Sequence, residues 1–300
     1  MTSRIAEGVG PDRIRIAHEE FGAPDAPPVL LIMGLGTQML GWHEGFCEEL
    51  AARGLRAIRF DNRDAGLSTH LSNAPAPDFT AAIAGDTSSA SYTLSEMAAD
   101  SVGLLDTMSI DSAHLVGASM GGFIAQTIAF EHPERVRSLT SMMATTGDLS
   151  VGRPAPEALQ LFSLPSPRTR EEVMERAVLI SRTIGSPAFP VDEDEVRERA
   201  GLAFDRSYDP PALMRQAVAV LASGDRTERL RSLRVPSLIL HGTEDRMCDP
   251  SGGRATAAAI PGSELILIEG MGHNLPRALW PRIADAIANH VKRAESERAR

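Results

Sequence analysis

One serine in this chain occupies a position from which a hydroxyl group can act as a nucleophile. Ser119 directly follows the apolar run at residues 113–118, and a helix-like segment covers residues 121–132. A serine at a sharp strand-to-helix turn has its hydroxyl raised above the carboxyl edge of the sheet. The flanking glycines in the Gly-Ala-Ser-Met-Gly sequence of residues 117–121 allow strand and helix to cross closely. We therefore predict that Ser119 is a nucleophile.

A serine nucleophile needs a base that accepts its proton and an acid that orients the base. His273 lies in a glycine-containing loop shortly after the apolar run at residues 264–268, and Asp245 follows the run at 236–240. The chain order serine, aspartate, histidine matches the order found when the serine lies at such a turn. We predict Asp245 as the acid and His273 as the base. The alternatives that the sequence leaves open are Glu244, Asp249 and Asp148 for the acid and His43 for the base.

The oxyanion of a tetrahedral intermediate needs two backbone N–H donors. Met120, directly after the nucleophile, is expected to supply one, and Leu35, in the glycine-rich loop after the run at residues 29–33, the other. The side chains expected to line the acyl and alcohol pockets are mostly apolar: Met33, Leu35, Trp42, Met120, Met247 and Leu275. Such a lining predicts a hydrophobic substrate of modest size.

The elements that position these residues are predicted by short apolar runs that alternate with helix-like segments. The runs cover residues 29–33, 55–60, 113–118, 136–143, 236–240 and 264–268. Nearly continuous apolar runs are typical of strands buried on both faces, and their alternation with helices predicts an α/β fold with a mostly parallel sheet. Residues 13–16 alternate between basic and apolar side chains, which predicts an antiparallel strand ahead of the parallel core.

Two segments interrupt this alternation. Residues 70–92 form a long loop rich in Pro, Ala and Ser, and such loops often act as lids. The second segment has no strand-like run and is helical in pattern at residues 170–184, 192–206 and 211–223. We predict a core formed by residues 1–146 and 231–300, with residues 147–230 inserted as a helical cap.

The bulk composition is that of an ordinary globular protein, 43% hydrophobic and 23% charged. We see no apolar run long enough for a membrane helix and no signal peptide, which predicts a cytoplasmic protein without a membrane partner. The net charge of −10, with scattered basic residues, argues against a nucleic-acid partner. Cys47 and Cys248 lack metal-site spacing, so we expect small buried or half-buried thiols. The sequence implies no metal and no organic cofactor.

Together these motifs resemble the α/β-hydrolase superfamily along nearly the whole chain, and in particular the branch that contains the aclacinomycin methylesterases and many bacterial esterases. The likeness is carried by residues 32–36 with Gly41 and Trp42, and by residues 59–68, 117–122, 242–245 and 270–276. The resemblance implies the α/β-hydrolase fold, a Ser119–Asp245–His273 triad, and oxyanion donors at Leu35 and Met120. The superfamily usually has His-Gly where this chain has Met33-Gly34, which implies a packing or pocket role for Met33.

The expected function is that of a serine esterase that cleaves a small to medium hydrophobic carboxylic ester through an acyl-enzyme. Serine at position 119 argues against the dehalogenase and epoxide hydrolase branches, which have aspartate there. The alternatives within hydrolase chemistry are lactone, thioester or C–C bond hydrolysis, and cofactor-free perhydrolysis of the haloperoxidase type. An alternative of another class is a ligand-binding receptor with the same fold and little turnover. The complete serine, aspartate and histidine set argues against a receptor.

Overall fold

The computed structural model describes residues 3–298, and within them eight strands form one sheet in the order β1-β2-β4-β3-β5-β6-β7-β8. The strands are β1 (Arg4–Val9), β2 (Ile14–Phe21), β3 (Pro28–Ile32), β4 (Arg56–Phe60), β5 (Ala113–Ala118), β6 (Val136–Met142), β7 (Ser237–Gly242) and β8 (Glu264–Ile268). β2 pairs antiparallel with both β1 and β4, and the other neighbours are parallel. The predicted fold class is confirmed.

Helices cover both faces of the sheet and one end of it. They are α1 (Glu44–Ala52), α2 (Phe79–Ile83), α3 (Leu94–Thr107), α4 (Met120–Glu131), α5 (Pro156–Ser163), α6 (Arg170–Ile184), α7 (Glu193–Arg206), α8 (Pro210–Ser223), α9 (Thr227–Arg231), α10 (Ser251–Ala259) and α11 (Trp280–Arg298). Short 3₁₀ turns lie at Met39–Gly41, Pro133–Arg135 and Arg277–Leu279.

Alternate residues of the central strands enter two different hydrophobic layers. In β3, Leu30 and Ile32 belong to the layer with α3 and α4, whereas Val29 and Leu31 belong to the layer with α1 and α11. Successive side chains of a strand point to opposite faces, so a sheet covered by helices on both sides needs apolar residues at every position. This requirement explains why the central strands appear in the sequence as continuous apolar runs.

The sequence patterns did not predict β1. Its residues, Arg-Ile-Ala-Glu-Gly-Val, lie at the edge of the sheet, where only Ala6 and Val9 are buried. The strand is held by antiparallel pairing with β2, which extends well beyond the alternating residues 13–16. An edge strand with so few buried side chains carries a weak hydrophobic pattern, so the sequence contains little to indicate it.

Four helices, α5 to α8, are inserted between β6 and β7. Three of them match the helical patterns of the predicted cap, and α5 is an addition to it. The long loop at residues 70–92 contains α2, which packs against α8, and Phe79 of α2 stacks on Phe162 of α5 with ring centroids 5.7 Å apart. We call residues 156–223, from the start of α5 to the end of α8, the cap. Helix α9 does not belong to the cap, because it packs on α4 and α10, which lie in the layers around the sheet.

Candidate active site

Ser119 lies at the turn between β5 and α4, and its backbone has φ 56° and ψ −123°. A positive φ is costly for a residue with a side chain, and such strain is found where surrounding structure imposes it. The neighbouring glycines make the turn possible. A Cβ on Gly117 would lie 2.1 Å from the carbonyl oxygen of Gly121, and a Cβ on Gly121 would lie 2.0 Å from that of Ile32. Side chains at these positions would therefore displace the nucleophile turn.

The structure brings the three predicted triad residues together in one line of hydrogen bonds. The Ser119 hydroxyl donates to Nε2 of His273 over 3.0 Å, and Nδ1–H of His273 donates to Oδ2 of Asp245 over 2.7 Å. His273 comes from the loop after β8, and Asp245 from the loop after β7. Parallel strands end at the same edge of the sheet, so side chains far apart in the sequence meet there.

The Asp245 carboxylate is buried and oriented by the backbone. Its Oδ1 atom accepts hydrogen bonds from the amides of Met247 and Cys248, over 2.9 and 2.8 Å, which leaves Oδ2 for His273. His241 lies behind it, with Nε2 3.5 Å from Oδ2 of Asp245 and hydrogen-bonded to the Cys248 carbonyl. Burial lowers the pKa of His241, so we expect this imidazole to be neutral.

The alternative acids and the alternative base have other partners. Asp148 accepts from the Ser150 amide, Asp249 accepts from the Ser251 amide, and Glu244 is exposed to solvent. His43 is the N-cap of α1: its Nδ1 accepts from the Gly45 amide, and its Nε2 lies 3.1 Å from Glu195. These contacts support Asp245 and His273 for the acid and base roles.

The two predicted oxyanion donors belong to segments that flank Ser119. Met120 is the first residue of α4, where backbone N–H groups have no partner within the helix. Leu35 lies in a turn that is closed by a hydrogen bond from the Thr37 amide to the Gly34 carbonyl over 3.2 Å. This turn passes directly beside the nucleophile, since a Cβ on Gly34 would lie 3.1 Å from Cβ of Ser119.

The predicted pocket side chains fall into two groups. Met33, Leu35, Met247 and Leu275 are half-buried, as residues at the wall of a cleft would be. Trp42, which the sequence analysis assigns to the pocket wall, is completely buried and stacks on Phe46 with ring centroids 5.7 Å apart. Trp42 therefore belongs to the hydrophobic core. The Met120 side chain is also buried in the core, so only its backbone can face a substrate.

Sequence reasoning missed the role of residues 59–68, which the resemblance singles out without assigning a function. Asp61 and Asp64, in the loop after β4, are buried and form ion pairs with Arg206 and Arg215 of the cap. Asn62, between them, donates through Nδ2 to the carbonyl of Met33 at the start of the oxyanion turn. The same loop thus holds both the cap and the segment that carries Leu35.

The cap also contacts the loop that carries the catalytic histidine candidate. The His273 amide donates to the Ile184 carbonyl at the end of α6 over 2.7 Å. Ser186 accepts from the Gly272 amide through Oγ over 2.8 Å and donates to Oδ1 of Asn274 over 2.5 Å. Two residues adjacent to His273 are therefore bonded to one serine of the cap.

Within residues 3–298, one cluster has the ligand types of a metal site. Asp64, His70 and Asp209 bring possible ligand atoms within 4.8 Å of one another. However, Nη2 of Arg215 donates to both carboxylates, over 2.7 Å to Asp64 and 3.0 Å to Asp209. The guanidinium therefore supplies the positive charge that a metal ion would otherwise bring. The cluster is an ion-pair network between core and cap.

Two further expectations concern thiols and membranes. Cys47 and Cys248 are both buried and free, as expected, and burial raises the pKa of Cys47 to about 12, so its thiol stays protonated. Among residues 3–298, none of the helices combines the length and the apolar character needed to span a lipid bilayer.

With the fold and the site geometry in place, comparison with known proteins identifies the family. Residues 27–276 match the model of the alpha/beta hydrolase fold family, and the chain belongs to this family. It is 32% identical to rhodomycin D methylesterase DauP of Streptomyces sp. (strain C5), over 94% of this chain and 97% of that protein. It is 28% identical to the putative non-heme bromoperoxidase BpoC of Mycobacterium tuberculosis (strain ATCC 25618 / H37Rv), over 87% of this chain and 91% of that protein.

Solved structures agree with this assignment. A thermophilic esterase from Thermogutta terrifontis superimposes with a TM-score of 0.70 at 25% identity, over 98% of this chain and 99% of that one. Given the family and these relatives, the protein is a carboxylic-ester hydrolase.

Proposed function

We propose that the protein is a serine esterase that works through an acyl-enzyme, with Ser119 as nucleophile, His273 as general base and acid, and Asp245 as the orienting acid. The observation that carries the proposal is the unbroken line of hydrogen bonds from Asp245 through His273 to the Ser119 hydroxyl, with heavy-atom distances of 2.7 and 3.0 Å. Both distances lie within the range for proton transfer between a nucleophile and its base.

In the first half of the reaction, Oγ of Ser119 forms a bond to the ester carbonyl carbon while its proton passes to Nε2 of His273. Asp245 stabilises the imidazolium that results and holds the ring in the required tautomer. The carbonyl oxygen becomes an oxyanion and accepts hydrogen bonds from the amides of Leu35 and Met120. The tetrahedral intermediate then collapses, and the alcohol leaves with the proton from Nε2.

In the second half, a water molecule attacks the acyl-enzyme. His273 takes a proton from the water as its oxygen bonds to the carbonyl carbon, and the bond to Oγ of Ser119 breaks. The proton returns to Oγ, and the carboxylic acid is released. The same groups therefore serve both halves of the cycle in reversed roles.

The substrate we propose is a small to medium hydrophobic ester. The half-buried side chains of the predicted pocket, Met33, Leu35, Met247 and Leu275, are apolar. Methionine and leucine adapt to different shapes and offer no charge to bind an ionic group. The 32% identical relative is named as a methylesterase, so a methyl ester of a hydrophobic acid is the first natural type of substrate to test.

A second candidate is perhydrolysis, favoured by the 28% identical relative named as a putative bromoperoxidase. The same acyl-enzyme would react with hydrogen peroxide in place of water, and the product would be a peracid. This chemistry needs no group beyond the triad and the oxyanion donors.

The deciding experiment combines turnover of short p-nitrophenyl esters with labelling by a fluorophosphonate probe. We expect measurable turnover, stoichiometric labelling, and loss of both in Ser119→Ala. Folded wild-type protein that neither turns over nor takes up the label would favour a receptor. Peracid formation from peroxide and acetate, compared with ester turnover, separates the second candidate from the first.

A further inference from the structure

A completely buried glutamine of the cap, Gln216 in α8, is bonded to the oxyanion turn. Its Oε1 atom accepts a hydrogen bond from the Gly36 amide over 2.8 Å, and its Nε2 atom donates to the Arg63 carbonyl over 2.8 Å. The Gly36 amide needs an acceptor and the Arg63 carbonyl needs a donor, so only one orientation of the Gln216 side-chain amide satisfies both partners. The glutamine therefore connects the cap to two core loops at once.

The turn that Gln216 contacts is largely exposed to solvent. Leu35 is half-buried, while Gly36 and Thr37 are exposed, and Gly36 has a φ of 64°. From the cap, Leu213 covers the same turn: a Cβ on Gly36 would lie 2.3 Å from Cδ1 of Leu213. An exposed turn with a flexible glycine has alternative backbone conformations of similar energy, unless tertiary contacts select one.

Two hydrogen bonds from outside the turn bracket the Leu35 amide. On its N-terminal side, Asn62 of the core donates to the Met33 carbonyl over 2.9 Å. On its C-terminal side, Gln216 accepts from the Gly36 amide. We propose that Gln216 is a positioning residue that fixes the Leu35 amide as an oxyanion donor, an inference that rests on the proposed serine esterase function.

The expected consequence is a defect in the transition state rather than in substrate binding. The oxyanion forms only as the ester carbonyl becomes tetrahedral, so a misplaced donor lowers kcat more than it changes KM. Complete loss of an oxyanion donor lowers kcat by about a hundredfold to a thousandfold. A donor that is present but loosely held should cost less, roughly tenfold to a hundredfold.

The test compares Gln216→Leu with Gln38→Leu. Gln38 is also a buried glutamine at the boundary between core and cap, but its Nε2 donates to the carbonyls of Ala203 and Ser207 in the cap, and it accepts from Arg206. Both substitutions remove hydrogen bonds between core and cap, so both should lower the melting temperature. Only the first removes the acceptor of the Gly36 amide.

The measurements are kcat and KM for a p-nitrophenyl ester, and the inhibition constants of a trifluoromethyl ketone and of an ether analogue of the substrate that has no carbonyl group. The ketone forms a hemiketal with the serine and places an oxyanion in the hole, whereas the ether cannot form an oxyanion and reports ground-state binding. For Gln216→Leu we expect kcat to fall about tenfold to a hundredfold, with KM within about threefold of wild type and a parallel loss of ketone affinity. For Gln38→Leu we expect kcat within about threefold of wild type.

Each other outcome has a defined meaning. Unchanged kcat in Gln216→Leu, or equal losses of ketone and ether affinity, would overturn the positioning role. Equal losses of kcat in both variants would assign the effect to cap docking in general, which also overturns it. Wild-type protein without esterase turnover or fluorophosphonate labelling would overturn the proposed function and the inference with it.

Discussion

Arg215 of the cap and Asp64 of the core form a bidentate ion pair that is almost completely shielded from solvent. Nε of Arg215 donates to Oδ2 of Asp64 over 2.9 Å, and Nη2 donates to Oδ1 over 2.7 Å. The same carboxylate also accepts from the Tyr92 hydroxyl and from the Leu71 amide. Because every acceptor position of Asp64 is used, the contact holds the cap in one orientation on the core.

Removal of the guanidinium should destabilise the protein strongly. In Arg215→Met, the Asp64 charge would stay buried without a counter-charge, so we expect a loss of about 3–5 kcal/mol in the free energy of unfolding. The control is Arg229→Met, which removes an exposed pair with Glu131 and should cost about 0–1 kcal/mol. Urea denaturation measures both. Equal losses in the two variants would show that the buried pair has no special role.

The three triad candidates should differ in how completely their loss stops the reaction. Ser119→Ala and His273→Ala should abolish esterase activity in folded protein, because the nucleophile or its base is gone. Asp245→Asn should lower kcat by roughly four orders of magnitude, since His273 would be held in the wrong tautomer. Asp148→Asn serves as the control and should stay near wild type. A larger effect of Asp148→Asn than of Asp245→Asn would identify Asp148 as the acid.

Ser186→Ala should weaken catalysis through the histidine loop. The substitution removes the acceptor of the Gly272 amide and the donor to Asn274. We expect a loss of about 1–3 kcal/mol in stability, from the buried amide left without a partner, and a lower kcat as His273 becomes less ordered. Ser263→Ala, which removes a hydrogen bond to the Ala257 carbonyl in α10, is the matched control. A kcat that falls equally in both variants would argue against this role.

Acid should destabilise the protein through its buried histidines. Burial lowers the pKa of His114 to about 3, so its neutral form is favoured in the folded state. Its contribution to stability is therefore fully present above the unfolded pKa, about 6.5, and is lost as the pH falls toward 3, by about 1.4 kcal/mol for each pH unit.

The variant His114→Asn tests this dependence. Asparagine can keep the contact that Nδ1 of His114 makes with Oγ of Ser138 over 2.8 Å, but it does not titrate. Unfolding free energies measured between pH 7 and about pH 4.5 should therefore fall less steeply in the variant than in wild type, by about one proton. Identical slopes would mean that His114 takes up its proton at the same pH in the folded protein as in the unfolded chain, which would contradict the lowered pKa.

Local patterns in the sequence determined the central secondary structure and the nucleophile turn. Strands β3 to β8 were predictable because most are buried on both faces, which requires an apolar side chain at nearly every position. The turn at Ser119 was predictable because its geometry excludes any Cβ at residues 117 and 121. This requirement for glycine falls on residues close to the serine in the sequence, so a short motif reveals it. The capping box at Thr93 and Glu96, which starts α3, is local in the same way.

Only the tertiary structure decided which polar groups are buried and what they contact. A charged or amide residue in a sequence is expected to be solvated, yet Asp64 and Arg215, 151 residues apart, pair in the interior. Trp42, by contrast, was predicted to line the pocket but is buried in the core. Contacts such as Gln216 with Gly36 depend on how the cap docks onto the sheet edge. Docking joins segments that lie far apart in the sequence, so it leaves no periodic pattern in either of them.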